Sequence, residues 1–300
     1  MTAAAPISMP PLDAHVHLWD TERLRYPWLD DLPLPRRVDA ATLTAAADPV
    51  AEFVLVQADC VAEQALAEIG WLSEQAALLP VVRGIVGYAP LHDPVASAAH
   101  LRELRRFPLV VGVRRLIQDE PPGFASRPGL RAGVALLAAE DLVFDLCVRE
   151  PQLGEAVDLV RATPEVRFVL DHLGKPQVGT DPTRWRRDLR ALAGLPNVVA
   201  KLSGLMTEII PGTGAAGVVR PYLDYALEVF GPQRCLFGSD WPVLTLAGSY
   251  AEWRDTVLDA IAGLSEAEVD AVLHGNARAT YLPRRFPSPP VDPDTERARR

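Results

Sequence analysis

Two histidines separated by one residue constrain the fold of this 300-residue chain more than any other feature. They lie in a largely apolar run near its start, Leu12-Asp13-Ala14-His15-Val16-His17-Leu18-Trp19-Asp20. Alternate residues of a strand share a face, so His15 and His17 are predicted to project side by side, with Ala14, Val16 and Leu18 on the opposite face. Two imidazoles aimed at one point suit a divalent metal ion or an anionic substrate.

A second apolar run, near the other end of the chain, closes with a carboxylate. Its sequence is Phe237-Gly238-Ser239-Asp240-Trp241-Pro242. A first strand that ends in two histidines and a last strand that ends in Asp240 indicate one site, closed by a barrel.

Between these runs, short apolar segments alternate with segments that have helical character. The runs after the first are predicted as strands over residues 52–57, 81–88, 109–116, 142–148, 166–172, 198–202 and 235–238. They are apolar on both faces, as parallel strands covered by helices must be. Eight strand–helix units in about 250 residues predict an α/β fold of the TIM (β/α)8 type. A doubly wound open sheet is the alternative, but no Gly-x-Gly-x-x-Gly turn follows a strand.

One domain is expected. We predict a flexible N-terminus over residues 1–10 and the barrel over residues 11–282. The tail over residues 283–300 is rich in proline and charge, and we predict that it is disordered or lies along the surface.

Charge and cysteine content exclude several classes of protein. The formal net charge is −9, which argues against a nucleic-acid-binding protein. No apolar run reaches the roughly 18 residues of a membrane span, and the N-terminus lacks the features of a signal peptide. Cys60, Cys147 and Cys235 lie in apolar runs and do not form a disulfide framework. We therefore expect a soluble, cytoplasmic protein.

In a TIM barrel the active site lies at the carboxyl ends of the strands. Three of the six histidines, together with Asp240, fall at such ends, so His15, His17, His172 and Asp240 are the candidate active-site residues. Other polar residues at strand ends, taken singly, are more often solvated or in structural ion pairs, and a buried structural thiol is the expected state of Cys147. These further strand-end residues are Gln57, Asp59, Tyr88, Arg114, Arg115, Gln118, Asp145, Arg149, Asp171, Lys175, Lys201 and Ser203.

Five motifs resemble those of the amidohydrolase superfamily, and most closely its branch of sugar-lactone and pyrone-dicarboxylate lactonases. The set and order of the motifs, which extend over nearly the whole chain, make the resemblance specific. The motifs are Asp13-Ala14-His15-Val16-His17-Leu18-Trp19-Asp20, Gly112-Val113-Arg114-Arg115-Leu116-Ile117-Gln118-Asp119-Glu120, Leu170-Asp171-His172-Leu173-Gly174-Lys175-Pro176, Lys201-Leu202-Ser203-Gly204-Leu205 and Phe237-Gly238-Ser239-Asp240-Trp241-Pro242.

The resemblance implies a distorted barrel that hydrolyses a cyclic ester or amide. His15 and His17 match the histidine pair of the first strand, Asp240 matches the proton-transfer aspartate of the last strand, and His172 matches a histidine of a later strand. The predicted fifth strand carries no histidine, in contrast to the superfamily members that bind two metal ions. We therefore expect at most one divalent ion, most simply zinc, held by His15, His17, Asp240 and His172; a metal-free site is the alternative.

The expected reaction is the opening of a sugar-acid lactone by water, with Asp240 as general base and then general acid. The substrate-binding candidates are Trp19, Trp28, Gln57, Arg114, Gln118, Lys201 and Trp241. The expected partner is a small lactone, and the expected metabolic context is that of carbohydrates. A homodimer and a monomer are both compatible with the sequence. The alternatives are a metal-dependent decarboxylase or amide hydrolase of the same superfamily, and a non-catalytic barrel that binds a sugar acid.

Overall fold

The structure, a computed structural model, describes residues 11–47, 52–209 and 216–282. The predicted flexible N-terminus and C-terminal tail lie outside these residues. Eight parallel strands pair in the order of the sequence and form a nearly closed barrel. The strands are β1 (Leu12–Val16), β2 (Glu52–Val56), β3 (Val82–Tyr88), β4 (Val110–Arg114), β5 (Val143–Leu146), β6 (Phe168–Leu170), β7 (Val198–Leu202) and β8 (Cys235–Phe237). All eight predicted strands are confirmed, and most are shorter than predicted.

Helices follow the strands and cover the outside of the barrel. They are α1 (Ala40–Ala46), α2 (Ala65–Leu78), α3 (Pro94–Leu104), α4 (Pro128–Ala139), α5 (Leu153–Ala162), α6 (Thr183–Ala193), α7 (Arg220–Phe230), α8 (Tyr250–Ile261), α9 (Glu266–Asp270) and α10 (Asn276–Tyr281). A capping box begins α9: the Ser265 hydroxyl accepts a hydrogen bond from the Glu268 amide, and the Glu268 carboxylate accepts one from the Ser265 amide. Among the helices of the described residues, none has the length and apolar character needed to cross a bilayer.

The barrel closes between β8 and β1 just beyond the end of β8. Val16 and Trp241 form a parallel bridge. The Asp240 amide donates to the His15 carbonyl at 2.9 Å, and the His17 amide donates to the Trp241 carbonyl at 2.8 Å. These two hydrogen bonds fix the segment that carries Asp240 against the segment that carries both histidines.

The predicted alternation of side chains along β1 is interrupted by an irregularity in that strand. The register with β2 shifts between Asp13 and Val16, so β1 contains one extra residue there. Ala14 consequently packs with apolar side chains from other strands inside the barrel, rather than on the face opposite the histidines. Val16 packs in the outer core between barrel and helices.

The barrel interior changes from apolar to polar along the strands. Its amino-terminal part contains one or more small apolar residues from each of the strands, and Tyr281 of α10 packs against them. The polar side chains Asp145, Asp171 and Lys201 are fully buried closer to the carboxyl ends. The charged groups of the site therefore lie directly next to an apolar layer of the barrel interior.

Candidate active site

Four side chains predicted from the sequence meet at the carboxyl end of the barrel. The Nε2 atoms of His15 and His17 are 3.1 Å apart. Asp240 Oδ1 lies 3.6 Å from His15 Nε2, 3.4 Å from His17 Nε2 and 3.8 Å from His172 Nε2. The structure thus brings one carboxylate oxygen and three imidazoles together, as the positions at the strand ends predict.

Local hydrogen bonds orient each of these groups. His17 Nδ1 donates to the Val56 carbonyl at 2.8 Å, which leaves a lone pair on its Nε2. His172 Nδ1 contacts the Ser203 hydroxyl at 2.8 Å. Gly204, at φ 66°, packs directly against the His172 ring, and a Cβ there would collide with the imidazole.

Asp240 itself is held in an unusual backbone conformation. Its φ is 64°, a left-handed value that is uncommon for a residue with a side chain. The hydrogen bonds to β1 described above hold the residue there. A strained backbone conformation of this kind persists only where several surrounding interactions hold it in place, and such conformations are concentrated at functional sites.

His15, His17 and Asp240 have the spacing of a zinc site. A tetrahedral zinc ion with bonds of about 2.0–2.1 Å needs its donor atoms about 3.3 Å apart. The three distances between these donor atoms are 3.1, 3.4 and 3.6 Å. The donor set therefore fits one zinc ion with a coordination position left open.

The charge states of the four groups suit a cation. Burial lowers the pKa of His15 and His17, so both imidazoles are neutral near pH 7. Burial by itself raises the pKa of Asp240, but the imidazoles of His172, His17 and His15 outweigh burial and hold that pKa well below its usual range. At neutral pH the site therefore offers neutral nitrogen donors and an ionised carboxylate.

The pKa of His172 leads to a prediction about acid stability. Burial lowers it to about 4, despite the nearby carboxylates of Asp240 and Asp171. An unfolded histidine titrates near 6.5, so the unfolded chain binds more protons between pH 6.5 and 4, and stability should fall as the pH falls through this window. Denaturant unfolding of chelator-treated protein at several pH values measures this slope. His172→Asn should lower the pH dependence of the unfolding free energy by the equivalent of up to one bound proton. Equal slopes for wild type and His172→Asn would contradict the assignment.

Three of the four groups, His17, His172 and Asp240, border a cavity of about 290 Å³, a small volume for a ligand site, while His15 lies behind them. Trp28, Arg114 and Gln118, predicted to bind substrate, line this cavity. Trp28 is anchored by its Nε1, which donates to the Ala58 carbonyl at 2.6 Å. Among the described residues, the lining comprises His17, Trp28, Leu32, Ala58, Asp59, Arg114, Leu116, Gln118, Asp119, Cys147, Arg149, His172, Lys175, Thr207, Glu208, Asp240 and Val243.

Four other predicted substrate-binding residues do not line the cavity. Trp19 is fully buried and donates its Nε1 to the Pro35 carbonyl. Trp241 is packed in the outer core, and Gln57 is buried with its Oε1 bound to the Asp59 amide. Lys201 is fully buried in ion pairs. In the structure, the packing of the barrel and its loops holds these four side chains away from the cavity, so the cavity does not support their predicted substrate contacts.

The sequence also left the rim of the cavity largely unassigned. Glu208, in the loop after β7, lies 3.8 Å from Lys175 Nζ and 3.7 Å from Arg149 Nη1. Asp119 lies 3.6 Å from Arg149 Nη2. The positions of Arg149 and Lys175 just after strands were the available signal, whereas nothing in the sequence places Glu208 beside them.

Cys147 also lines the cavity. Its thiol donates to Gln118 Oε1 at 3.4 Å, and burial raises its pKa to about 11. A thiol that stays protonated at neutral pH is a weak nucleophile. The structure thus supports the expected structural thiol.

Comparison with known proteins gives concordant relatives. The model of a family described as Amidohydrolase matches residues 12–282. An L-fucono-1,5-lactonase from Burkholderia multivorans is 36% identical over 292 residues, which cover 90% of this chain and 95% of that protein. An L-rhamnono-gamma-lactonase from Scheffersomyces stipitis is 27% identical and covers 67% of this chain and 69% of that protein.

A solved structure matches equally well. It is an amidohydrolase from Burkholderia multivorans with bound zinc, which superposes with a TM-score of 0.81 at 35% identity. The match covers 91% of this chain and all of that one.

Proposed function

The chain belongs to the amidohydrolase family, and on that premise we propose that it hydrolyses the ring ester of a sugar lactone. The observation that carries this proposal is the meeting of Asp240 with His15, His17 and His172 at the base of a small polar cavity. The 36% identity to an L-fucono-1,5-lactonase over 90% of the chain supports the substrate class.

His15, His17 and Asp240 are the proposed ligands of one zinc ion, and the zinc held by the similar amidohydrolase supports this choice. Bound zinc polarises an ester carbonyl and lowers the pKa of a water molecule. Strand β5 offers no histidine for a second ion, and its Asp145 is committed to Lys201 and Tyr281.

Opening a lactone requires a water molecule to lose a proton and the departing ring oxygen to gain one. We assign both transfers to Asp240. Its Oδ1 faces the three imidazoles, so Oδ2 is the atom that takes the proton from water and returns it to the alkoxide. His172 Nε2 borders the cavity beside Asp240, and there it can donate to the carbonyl oxygen as negative charge develops.

The side chains around the proposed zinc site suit a neutral, hydroxyl-rich substrate. Apart from the zinc ligand Asp240, the acidic groups Asp59, Asp119 and Glu208 are matched in number by the basic groups Arg114, Arg149 and Lys175. Arg149 and Lys175 are moreover paired with acidic partners. Carboxylates and amides accept hydrogen bonds from sugar hydroxyls, while Trp28 presents an aromatic surface.

A substrate panel tests the class of reaction. Zinc-loaded protein is assayed with sugar-acid lactones of both ring sizes, with a pyrone dicarboxylate and with aromatic carboxylates. We expect acid release from a sugar lactone and negligible turnover of the others. Carbon dioxide release from an aromatic acid would indicate a decarboxylase, and binding of a sugar acid without turnover of any lactone would indicate a non-catalytic barrel.

Arg114 is proposed to bind the substrate from the inner wall of the cavity. Its Nη2 donates to the Gln57 carbonyl, and its Nη1 lies 3.3 Å from His15 Nε2. Arg114→Ala should raise KM for the lactone by a larger factor than it lowers kcat, because alanine cannot replace the guanidinium donors. The control is Arg115→Ala, which removes a neighbouring arginine that does not line the cavity. A loss of stability with unchanged KM would instead make Arg114 a structural residue.

A further inference from the structure

Asp171 is a fully buried carboxylate that does not line the cavity. It follows β6 directly, and its Oδ1 lies 3.0 Å from Lys201 Nζ while its Oδ2 lies 3.6 Å from Arg114 Nη1. Despite these two cations, neither oxygen meets a donor of the described residues with hydrogen-bond geometry. Buried acceptors without a hydrogen bond are rare, so the missing donor requires an explanation.

His15 Nδ1 is the nearest uncharged nitrogen to these oxygens, and a proton on it would supply the missing donor once the ring turns toward Asp171. His15 Nδ1 lies 3.3 Å from Asp171 Oδ1, and a carboxylate can only accept. The same Nδ1 lies 3.0 Å from Lys201 Nζ, and an ammonium can only donate. The two neighbours therefore favour opposite tautomers of His15: Asp171 favours a proton on Nδ1, and Lys201 favours a proton on Nε2.

The tautomer of His15 decides whether its Nε2 can bind a cation. His17 already presents a lone pair from its Nε2, because its Nδ1 donates to the Val56 carbonyl. A proton on His15 Nδ1 leaves a second lone pair only 3.1 Å away, an arrangement that a metal ion stabilises. A proton on His15 Nε2 would occupy the position where the ion binds.

We propose that Asp171 is a positioning residue that accepts the Nδ1 proton of His15 and so directs the Nε2 lone pair toward zinc. This inference rests on the zinc site of the proposed function. The Lys201 ammonium, 3.0 Å from its Oδ1, favours the ionised form of the Asp171 carboxyl group, which can only accept. An ionised acceptor on the far nitrogen of a histidine ligand fixes the ring and strengthens its bond to the metal.

The chain offers a matched control for this role. Asp145 and Asp171 are both fully buried and both pair with Lys201, but Asp145 makes its other contact with the Tyr281 hydroxyl. Asp145→Asn and Asp171→Asn thus remove the same charge from the same lysine, and only the second changes the partner of His15.

Zinc affinity distinguishes the two variants without relying on activity. Competition against a chelating dye, with the full chain, should show zinc binding weakened about 10–100-fold in Asp171→Asn. An amide is a poorer acceptor than a carboxylate, and Lys201 then competes for Nδ1. The zinc affinity of Asp145→Asn should stay within about threefold of the wild-type affinity. Equal losses in both variants, with zinc binding retained by wild type, would overturn the role of Asp171 and leave the zinc site standing.

A second measurement needs no variant of Asp171. Long-range ¹H–¹⁵N spectra of zinc-loaded wild-type protein labelled at histidine should show the proton of His15 on Nδ1, with the signal assigned from its loss in His15→Gln. A proton on Nε2 would overturn the inference even if Asp171→Asn fails to fold. Wild-type protein that binds no zinc would overturn both the inference and the metal site of the proposed function.

Discussion

Asp240→Asn should fold normally and lose at least about 10²–10⁴-fold in the rate of lactone hydrolysis, because the variant lacks the general base and also one of the three proposed zinc ligands. Asparagine keeps the size of the side chain but cannot take a proton from water. The hydrogen bonds that fix this segment to β1 come from the backbone, so they persist in the variant. The measurement is kcat and KM on the sugar lactone that the panel identifies.

Asp119→Asn is the control for this variant. Asp119 is a carboxylate that also lines the cavity, but its ion-pair partner is Arg149 on the rim, away from the three imidazoles. Its replacement should leave kcat within a few-fold of wild type. If Asp240→Asn retains a near-normal kcat, Asp240 is structural and the proposed mechanism is wrong.

The second large effect is expected from His17→Gln. His17 provides one of three proposed nitrogen and oxygen donors, and a catalytic zinc site needs about three protein ligands. Removal of the hydrogen-bond partner of a metal ligand typically weakens metal binding about 10–100-fold. Removal of the ligand itself should weaken it more, so we expect the zinc affinity of His17→Gln to fall by more than about 100-fold. The rate of lactone hydrolysis should fall with it.

Zinc content after dialysis and the rate of hydrolysis are measured together for this variant. His92→Gln is the control, because His92 is an exposed histidine that does not line the cavity. Zinc retained by His17→Gln at wild-type affinity would remove His17 from the ligand set.

The elements of the barrel could be predicted from the sequence because their signals are local. Apolar runs of four to eight residues, separated by helical segments, predict β1–β8 with errors of a few residues at their ends. The convergence of His15, His17, His172 and Asp240 follows from one further rule, since the carboxyl ends of parallel barrel strands meet on one face.

The direction of individual side chains could not be predicted, because it depends on register and closure. The extra residue of β1 between Asp13 and Val16 is visible only in its pairing with β2. Trp19 and Trp241 flank the site in the sequence, yet loop packing buries both. A sequence also gives no sign that Lys201 lies between Asp145 and Asp171, because their contact joins three separate strand ends.

The structure also refines the expected pH dependence of zinc binding. The sequence alone predicts that affinity falls below about pH 6.5, the pKa of an unperturbed histidine. Burial lowers the pKa of both His15 and His17, so protons compete with zinc for these ligands only at a lower pH.

The most direct test of one zinc site at the base of a lactonase cavity is a zinc titration of metal-stripped protein, followed by the rate of sugar-lactone hydrolysis. The rate should rise in proportion to added zinc and reach its plateau at one equivalent per chain. A plateau at two equivalents, or full activity in metal-stripped protein, would contradict the mononuclear site of His15, His17 and Asp240.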